Sequence, residues 1–220
     1  MLASVLAGLS ILIVGDSHLT AAGYLIDTLH NQLLAQGAKT VHTIGVCGSN
    51  PGDWTKATQG TCGGAERSGK ATLVRREDAR TVPMSQLLAS EKPDLVIVVL
   101  GDTIGGYGKD SFAKTWAWQQ TTQLTKVLGA NDTACVWVGP PWGSEGGKYG
   151  KTFPRVKQVS AFLASNVAPC EYIDSLKFAK PGQWPTIDGQ HLTLSGYRAW
   201  GKDIADTLVG LPGVKQLKAR

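Results

Sequence analysis

The stretch "ILIVGDSHLTAAG", residues 11–23, joins an apolar run to an acid, a hydroxyl and the start of a helical pattern. Ile11 to Val14 are apolar at every position, so the strand they predict must be covered on both faces. Gly15 permits a tight turn and leaves Ser17 at the threshold of the next helix, where backbone amides and the helix dipole favour negative charge on or beside its oxygen. Ser17 is then either an N-cap, a place where Ser and Asp are favoured for hydrogen bonding alone, or a nucleophile raised at the end of a sheet. The spacing is not GxSxG, because residue 19 is Leu, which disfavours the nucleophile elbow of the α/β-hydrolases.

The same kind of run recurs as "SILIVG" (10–15), "TVHTIGV" (40–46), "DLVIVVLG" (94–101), "ACVWVGPP" (134–141) and "CEYIDS" (170–175). Between the runs lie helical patterns. Residues 20–37 place Leu25, Ile26, Leu29, Leu33 and Leu34 on one stripe and stop at Gly37. Further helices are expected over 82–91, 111–129, 153–167 and 195–209. Strand and helix alternate throughout, which predicts an α/β fold with an open, doubly wound, five-stranded parallel sheet and a ligand crevice at the strands' carboxyl ends. With 220 residues, 42% of them hydrophobic, and no linker or repeat, one domain spanning 1–220 is the expectation.

Composition narrows the partners. The net charge of +5 and a pI near 9.0 favour an anionic partner. Lys and Arg are nevertheless scattered, densest at Lys215, Lys218 and Arg220, and no helix face carries a basic stripe, so nucleic acid is not expected. Residues 2–14 are mostly apolar but lack a basic leader and are too short for a membrane span, so they read as part of the fold. Four cysteines occur, with no CxxC pair and no His at metal-ligand spacing, so no metal site is expected. Cys47 and Cys62 bracket a Gly-rich loop, and Cys135 and Cys170 each start an apolar run. Bridges in that order are sensible and fit a periplasmic or secreted protein, although four Cys allow three pairings and buried free thiols are the alternative.

A serine nucleophile needs a base, and the histidines are His18, His30, His42 and His191. His18 adjoins the serine and is expected to point elsewhere. His30 falls mid-helix, where a surface place is expected, and His42 sits inside a strand. His191, in "IDGQHLTLSGYRAWG", follows Asp188 by three residues in a loop between the last strand and the last helix. Asp188 at that spacing can accept from one ring nitrogen and leave the other for the hydroxyl.

These segments resemble the SGNH or GDSL hydrolase family over residues 11–209. "GDSH" is similar to its first block with nucleophile Ser17, "GVCGSN" to its second with Gly48, and "DGQH" to its last with Asp188 and His191. The resemblance implies a three-layer α/β/α sandwich of flavodoxin-like type and hydrolysis or transfer of esters without a cofactor. In that family a Gly-x-Asn-Asp segment follows the third strand, and its Asn joins the amides of the nucleophile and the second-block Gly around the oxyanion. Here the third strand ends "VVLGDTIGG", with Asp102 and Thr103 and no Asn. The literal match "GAND" at 129–132 precedes a strand, so Asn131 reads as a turn residue. Thr103 is the candidate donor in place of the Asn. An ionised Asp102 would repel the oxyanion and is expected to turn away or to bind loop amides.

Seven tryptophans are many for this length. Trp137 and Trp200 read as core, whereas Trp54, Trp142 and Trp184 occupy Gly/Pro-rich loops near strand ends, where an aromatic face suits a sugar ring. With Asp102 they are the candidate substrate contacts, packing beneath a loop being the alternative. The expected function is a serine esterase that removes acetyl or another small acyl group from a carbohydrate. The same residues would serve a polysaccharide O-acyltransferase, and the missing Asn leaves room for a non-catalytic carbohydrate-binding protein.

Overall fold

A computed structural model describes residues 4–217. Residues 2 and 3 of the N-terminal apolar run, and Lys218 and Arg220 of the basic tail, lie outside the described residues. Seven strands form one sheet: β1 (Ser10–Gly15), β2 (Thr40–Val46), β3 (Gly64–Ser68), β4 (Val74–Arg76), β5 (Leu95–Val99), β6 (Cys135–Val138) and β7 (Glu171–Ile173). Their spatial order is β4-β3-β2-β1-β5-β6-β7. The five predicted strands are those that run parallel, with β1 paired to β2 and to β5 in register from Ile11. The sheet is wider than expected, because β3 and β4 add an antiparallel edge beyond β2.

The helices are α1 (Leu25–Ala35), α2 (Met84–Glu91), α3 (Lys114–Ala130), α4 (Phe153–Asn166), α5 (Leu194–Leu208) and the short α6 (Pro212–Lys215). Strand alternation feeds two cores. Ile11 and Ile13 pack with Leu25, Leu29, Trp200 and Ile204 of α1 and α5, while Leu12 and Val14 pack on the opposite face with Leu88, Leu124 and Leu163 of α2, α3 and α4. This is why β1 is apolar at every position, since each face is sealed by a helical layer. Leu6 and Leu9, ahead of β1, are buried in the first of these cores. Among the described residues no helix is long and apolar enough to cross a membrane.

Both disulfides have formed, Cys47–Cys62 and Cys135–Cys170. The first ties the end of β2 to the loop before β3, and the second ties the start of β6 to the residue before β7. β1 is the switch point of the winding, with α1 leaving toward one neighbour on one face and the connection to β5 lying on the other. The chain just after β1 and β5 therefore opens into the crevice that such sheets offer to ligands.

Candidate active site

Ser17 starts a single 3-10 turn, Ser17–Leu19, capped by Asp16, whose Oδ1 accepts from the His18 amide at 3.1 Å. The predicted helix begins later than expected, at Leu25, because Gly23 adopts φ +80 and interrupts it. Ser17 thus sits on its own turn and does not head α1. Its Oγ lies 2.7 Å from His191 Nε2, and His191 Nδ1 lies 2.7 Å from Asp188 Oδ2. Asp188 Oδ1 accepts from the amides of Gln190 (3.0 Å) and His191 (2.8 Å), so the carboxylate is clamped by its own loop. An ionised Asp188 can only accept, so Nδ1 carries the proton and Nε2 presents a lone pair to the Ser17 hydroxyl.

Burial alone would raise Asp188, but the hydrogen bonds from His191 and Gln190 outweigh it and hold the carboxyl below its ordinary value. Burial, followed by the neighbouring His18, pushes His191 below the ordinary histidine value against the pull of Asp188. Both shifts favour a neutral imidazole beside an ionised carboxylate near neutral pH. Tyr24 stacks on His191 at 6.1 Å between ring centroids, and Tyr149 meets it edge-on at 5.8 Å.

On the other side of Ser17 lies a buried polar cluster. His18 Nε2 is 2.8 Å from Asp102 Oδ2, and His18 Nδ1 is 2.8 Å from the Tyr197 hydroxyl. The Lys151 ammonium donates to Asp102 Oδ1 (2.8 Å), Asp102 Oδ2 (3.0 Å) and the Pro141 carbonyl (2.9 Å). The Tyr107 hydroxyl donates to Asp102 Oδ1 at 2.7 Å. Burial would raise Asp102, but the charge of Lys151 and the hydrogen bond from His18 prevail and hold it well below the usual carboxylate range. Asp16, wholly buried with Oδ2 unpartnered among the described residues, is pushed up by burial to about 6.

Ser17, Gly48, Thr103, Tyr107, Tyr149 and Gln190 are among the residues that line an open cleft of about 700 Å³. Gly48 has φ +74, and a Cβ there would lie 2.3 Å from Thr61 Oγ1, so the cleft wall needs glycine at this point. Thr103 Oγ1 is buried and has no hydrogen-bond partner among the described residues. No group of three His, Cys, Asp or Glu side chains that could hold a metal occurs among the described residues.

Several expected contacts lie elsewhere. Trp54 is wholly buried, with its indole N–H donating to Ser49 Oγ at 3.2 Å. Trp142 is buried too, and donates to the carbonyls of Leu176 and Ala179. Trp184 is half-buried against the core on the α1 and α5 face. None of the three is among the residues lining the cleft beside Ser17. Asp102 does line the cleft, but its carboxylate is turned away from solvent and binds no loop amide, since Lys151, His18 and Tyr107 enclose it. His30 is buried, not on the surface, and bonds Thr43 Oγ1 and the Gly69 carbonyl. His42 is held in β2 between Glu66 and Glu91. Asn131 caps α3, at the opposite end of the sheet from Ser17. Lys151, Tyr107, Tyr149 and Tyr197 carry no sequence signal that marks them for this site.

The fold is that of the SGNH hydrolases. A protein from Slackia heliotrinireducens assigned to that group superposes with a TM-score of 0.60 at 16% identity, over 91% of this chain and 98% of the other. A catalytic mutant of an acetylxylan esterase from Geobacillus stearothermophilus superposes with a TM-score of 0.59 at 14% identity, over 94% and 96%. Within that fold, the chain belongs to the family of Protein BcsX from Komagataeibacter xylinus, with which it is 41% identical over 218 residues, 98% of this chain and 81% of its relative. No protein-family model matches it.

Proposed function

We propose that the protein is a serine esterase that removes acetyl or another small acyl group from a carbohydrate, with Ser17 as nucleophile, His191 as general base and acid, and Asp188 orienting His191. The observation that carries this reading is the continuous hydrogen-bonded chain from Ser17 Oγ through both nitrogens of His191 to Asp188. Ser17 Oγ attacks the ester carbonyl carbon as its proton passes to His191 Nε2. The amides of Ser17 and Gly48, with the hydroxyl of Thr103, receive the oxyanion. Collapse breaks the carbon–oxygen bond to the sugar, which leaves with the proton from His191, and water then releases the acid from Ser17 by the same steps in reverse order.

A carbohydrate ester is favoured by the open cleft with tyrosines and glycines on its walls and by the similarity in fold to an acetylxylan esterase. The two disulfides support maturation in the periplasm or outside the cell. Acetate release from acetylated xylo-oligosaccharides, measured for the purified protein and for Ser17→Ala, is the test. Release by the first and none above background by the second is expected. Equal release by both overturns the mechanism.

A further inference from the structure

Lys151 takes no part in the chemistry just described, yet it is wholly buried and so is the carboxylate it meets. Removing such a pair from water costs several kcal/mol per ion, and apolar side chains of the same volume are often as stable. Stability therefore does not account for an ion pair at this place. Its position does. All three ammonium donors are used, two on Asp102 and one on Pro141. Asp102 in turn holds His18, the residue after Ser17, and it precedes Thr103 in the turn Asp102–Ile104.

Lys151 also closes the 143–151 loop, whose other part is fastened to the loop of the base. The Lys148 amide donates to the Asp188 carbonyl at 2.9 Å, and the Ser144 amide donates to the Gly189 carbonyl at 2.9 Å. At Gly147, where φ is +66, a Cβ would stand 2.3 Å from the Asp188 carbonyl oxygen, so the two loops meet backbone to backbone. One segment thus spans from the loop of Asp188 and His191 to the turn that carries Thr103.

On the esterase reading above, we propose that Lys151 is a positioning residue: its ion pair with Asp102 fixes Thr103 and His18 against Ser17 and cancels the carboxylate's charge beside the oxyanion wall. Without the ammonium, the Asp102 charge would oppose the developing oxyanion and favour a protonated His191. The charged and titratable groups around His191 are Asp188, His18, Tyr24, Tyr149 and, behind His18, Asp102. Those around Asp102 are Lys151, His18, Tyr107 and Asp16. Asp102 pulls His191 upward, so exposing its charge must move His191 further up, and removing that charge must move it down.

The experiment compares Lys151→Met, Asp102→Asn and the double variant, with thermal melting to establish folding. Titration of the His191 ring by NMR needs no substrate, and kcat and KM are measured on 4-nitrophenyl acetate. Lys151→Met is expected to raise the His191 midpoint by about one pH unit and to lower kcat by about 10²-fold with KM within about twofold. The double variant is expected to return the midpoint to its original place and to recover kcat by about tenfold. A folded Lys151→Met with an unmoved midpoint, or a double variant no more active than Lys151→Met, overturns the proposal. Should Lys151→Met not fold, Asp102→Asn decides through a downward move of the midpoint, and an unmoved one overturns it. A wild-type protein with no Ser17-dependent turnover counts against the esterase reading alone, because the titration stands without it.

Discussion

Two aspartate–histidine pairs stand side by side after β1, their imidazole centroids 5.2 Å apart, and their surroundings are opposite. Asp188 and His191 meet at 2.7 Å, with side chains 23% and 10% exposed. Asp102 and His18 meet at 2.8 Å, with side chains 0% and 2% exposed. The carboxylate is equally close in both, so closeness of the acid does not separate them. What separates them is the group in front of the other ring nitrogen. His191 presents it to a hydroxyl in an open cleft, whereas His18 spends it on the Tyr197 hydroxyl in the interior. An acid behind an imidazole fixes its tautomer, and only an accessible second nitrogen makes a base of it.

That contrast can be broken most forcefully by exchanging the histidines' fates. His191→Ala is expected to lower kcat on a small ester by about 10⁴-fold or more, whereas His18→Phe is expected to cost about 10- to 10²-fold, with a loss of melting temperature. Steady-state kinetics on folded variants decides, and equal losses would erase the distinction. A smaller effect is expected on the wall between the pairs. On the proposed mechanism, in which its hydroxyl acts on the transition state alone, Thr103→Val should reduce kcat by about 10- to 10²-fold with KM little changed.

The third test is one of pH. Because burial holds His191 below the ordinary histidine value of 6.5, the acid limb of kcat/KM should be half-maximal below pH 6.5. A limb centred above that value would assign the base elsewhere. The smallest effect concerns Asp16. Its carboxyl stands at about 6 in the fold against 3.8 for an unperturbed group, so the unfolded chain releases that proton more readily and ionisation destabilises the fold as pH rises between the two values. Asp16→Asn should therefore raise the melting temperature by several degrees at pH 8, from at most about 3 kcal/mol, and change nothing at pH 4.

The amino-acid sequence announced the central strands because burial on both faces leaves no polar position to confuse the pattern. It concealed β4, "VRR", because a strand at the sheet's edge can be polar at most positions, and β3, "GAERS", because it buries only Gly64 and Ala65 and so shows no apolar run. That Asp188 and His191 would meet was legible through their spacing in a short loop, and Gly48, which lines the cleft, was singled out only by the resemblance of "GVCGSN" to a family block. Lys151 was not, since a lysine in a glycine-rich loop reads as solvated until the fold supplies a buried acid. Trp54 and Trp142 were misread for a related reason. Both lie in loops at the correct end of the sheet, but their indoles turn down to seal the loop bases, and sequence position does not give side-chain direction. His30 fell on the inner stripe of α1, where Thr43 and the Gly69 carbonyl satisfy it.

Arg155, on α4, gives the cleft a property of another kind. Its guanidinium donates to the main-chain carbonyls of Gly105, Gly106, Lys109, Asp110 and Ser111, in a loop whose Gly106 and Lys109 line the cleft. A grip on carbonyl oxygens is indifferent to what the side chains above them are. The lettering of this loop at positions 109 to 111 can therefore drift while its path in space stays put, so what the cleft meets at Lys109 is free to change without first rebuilding the scaffold.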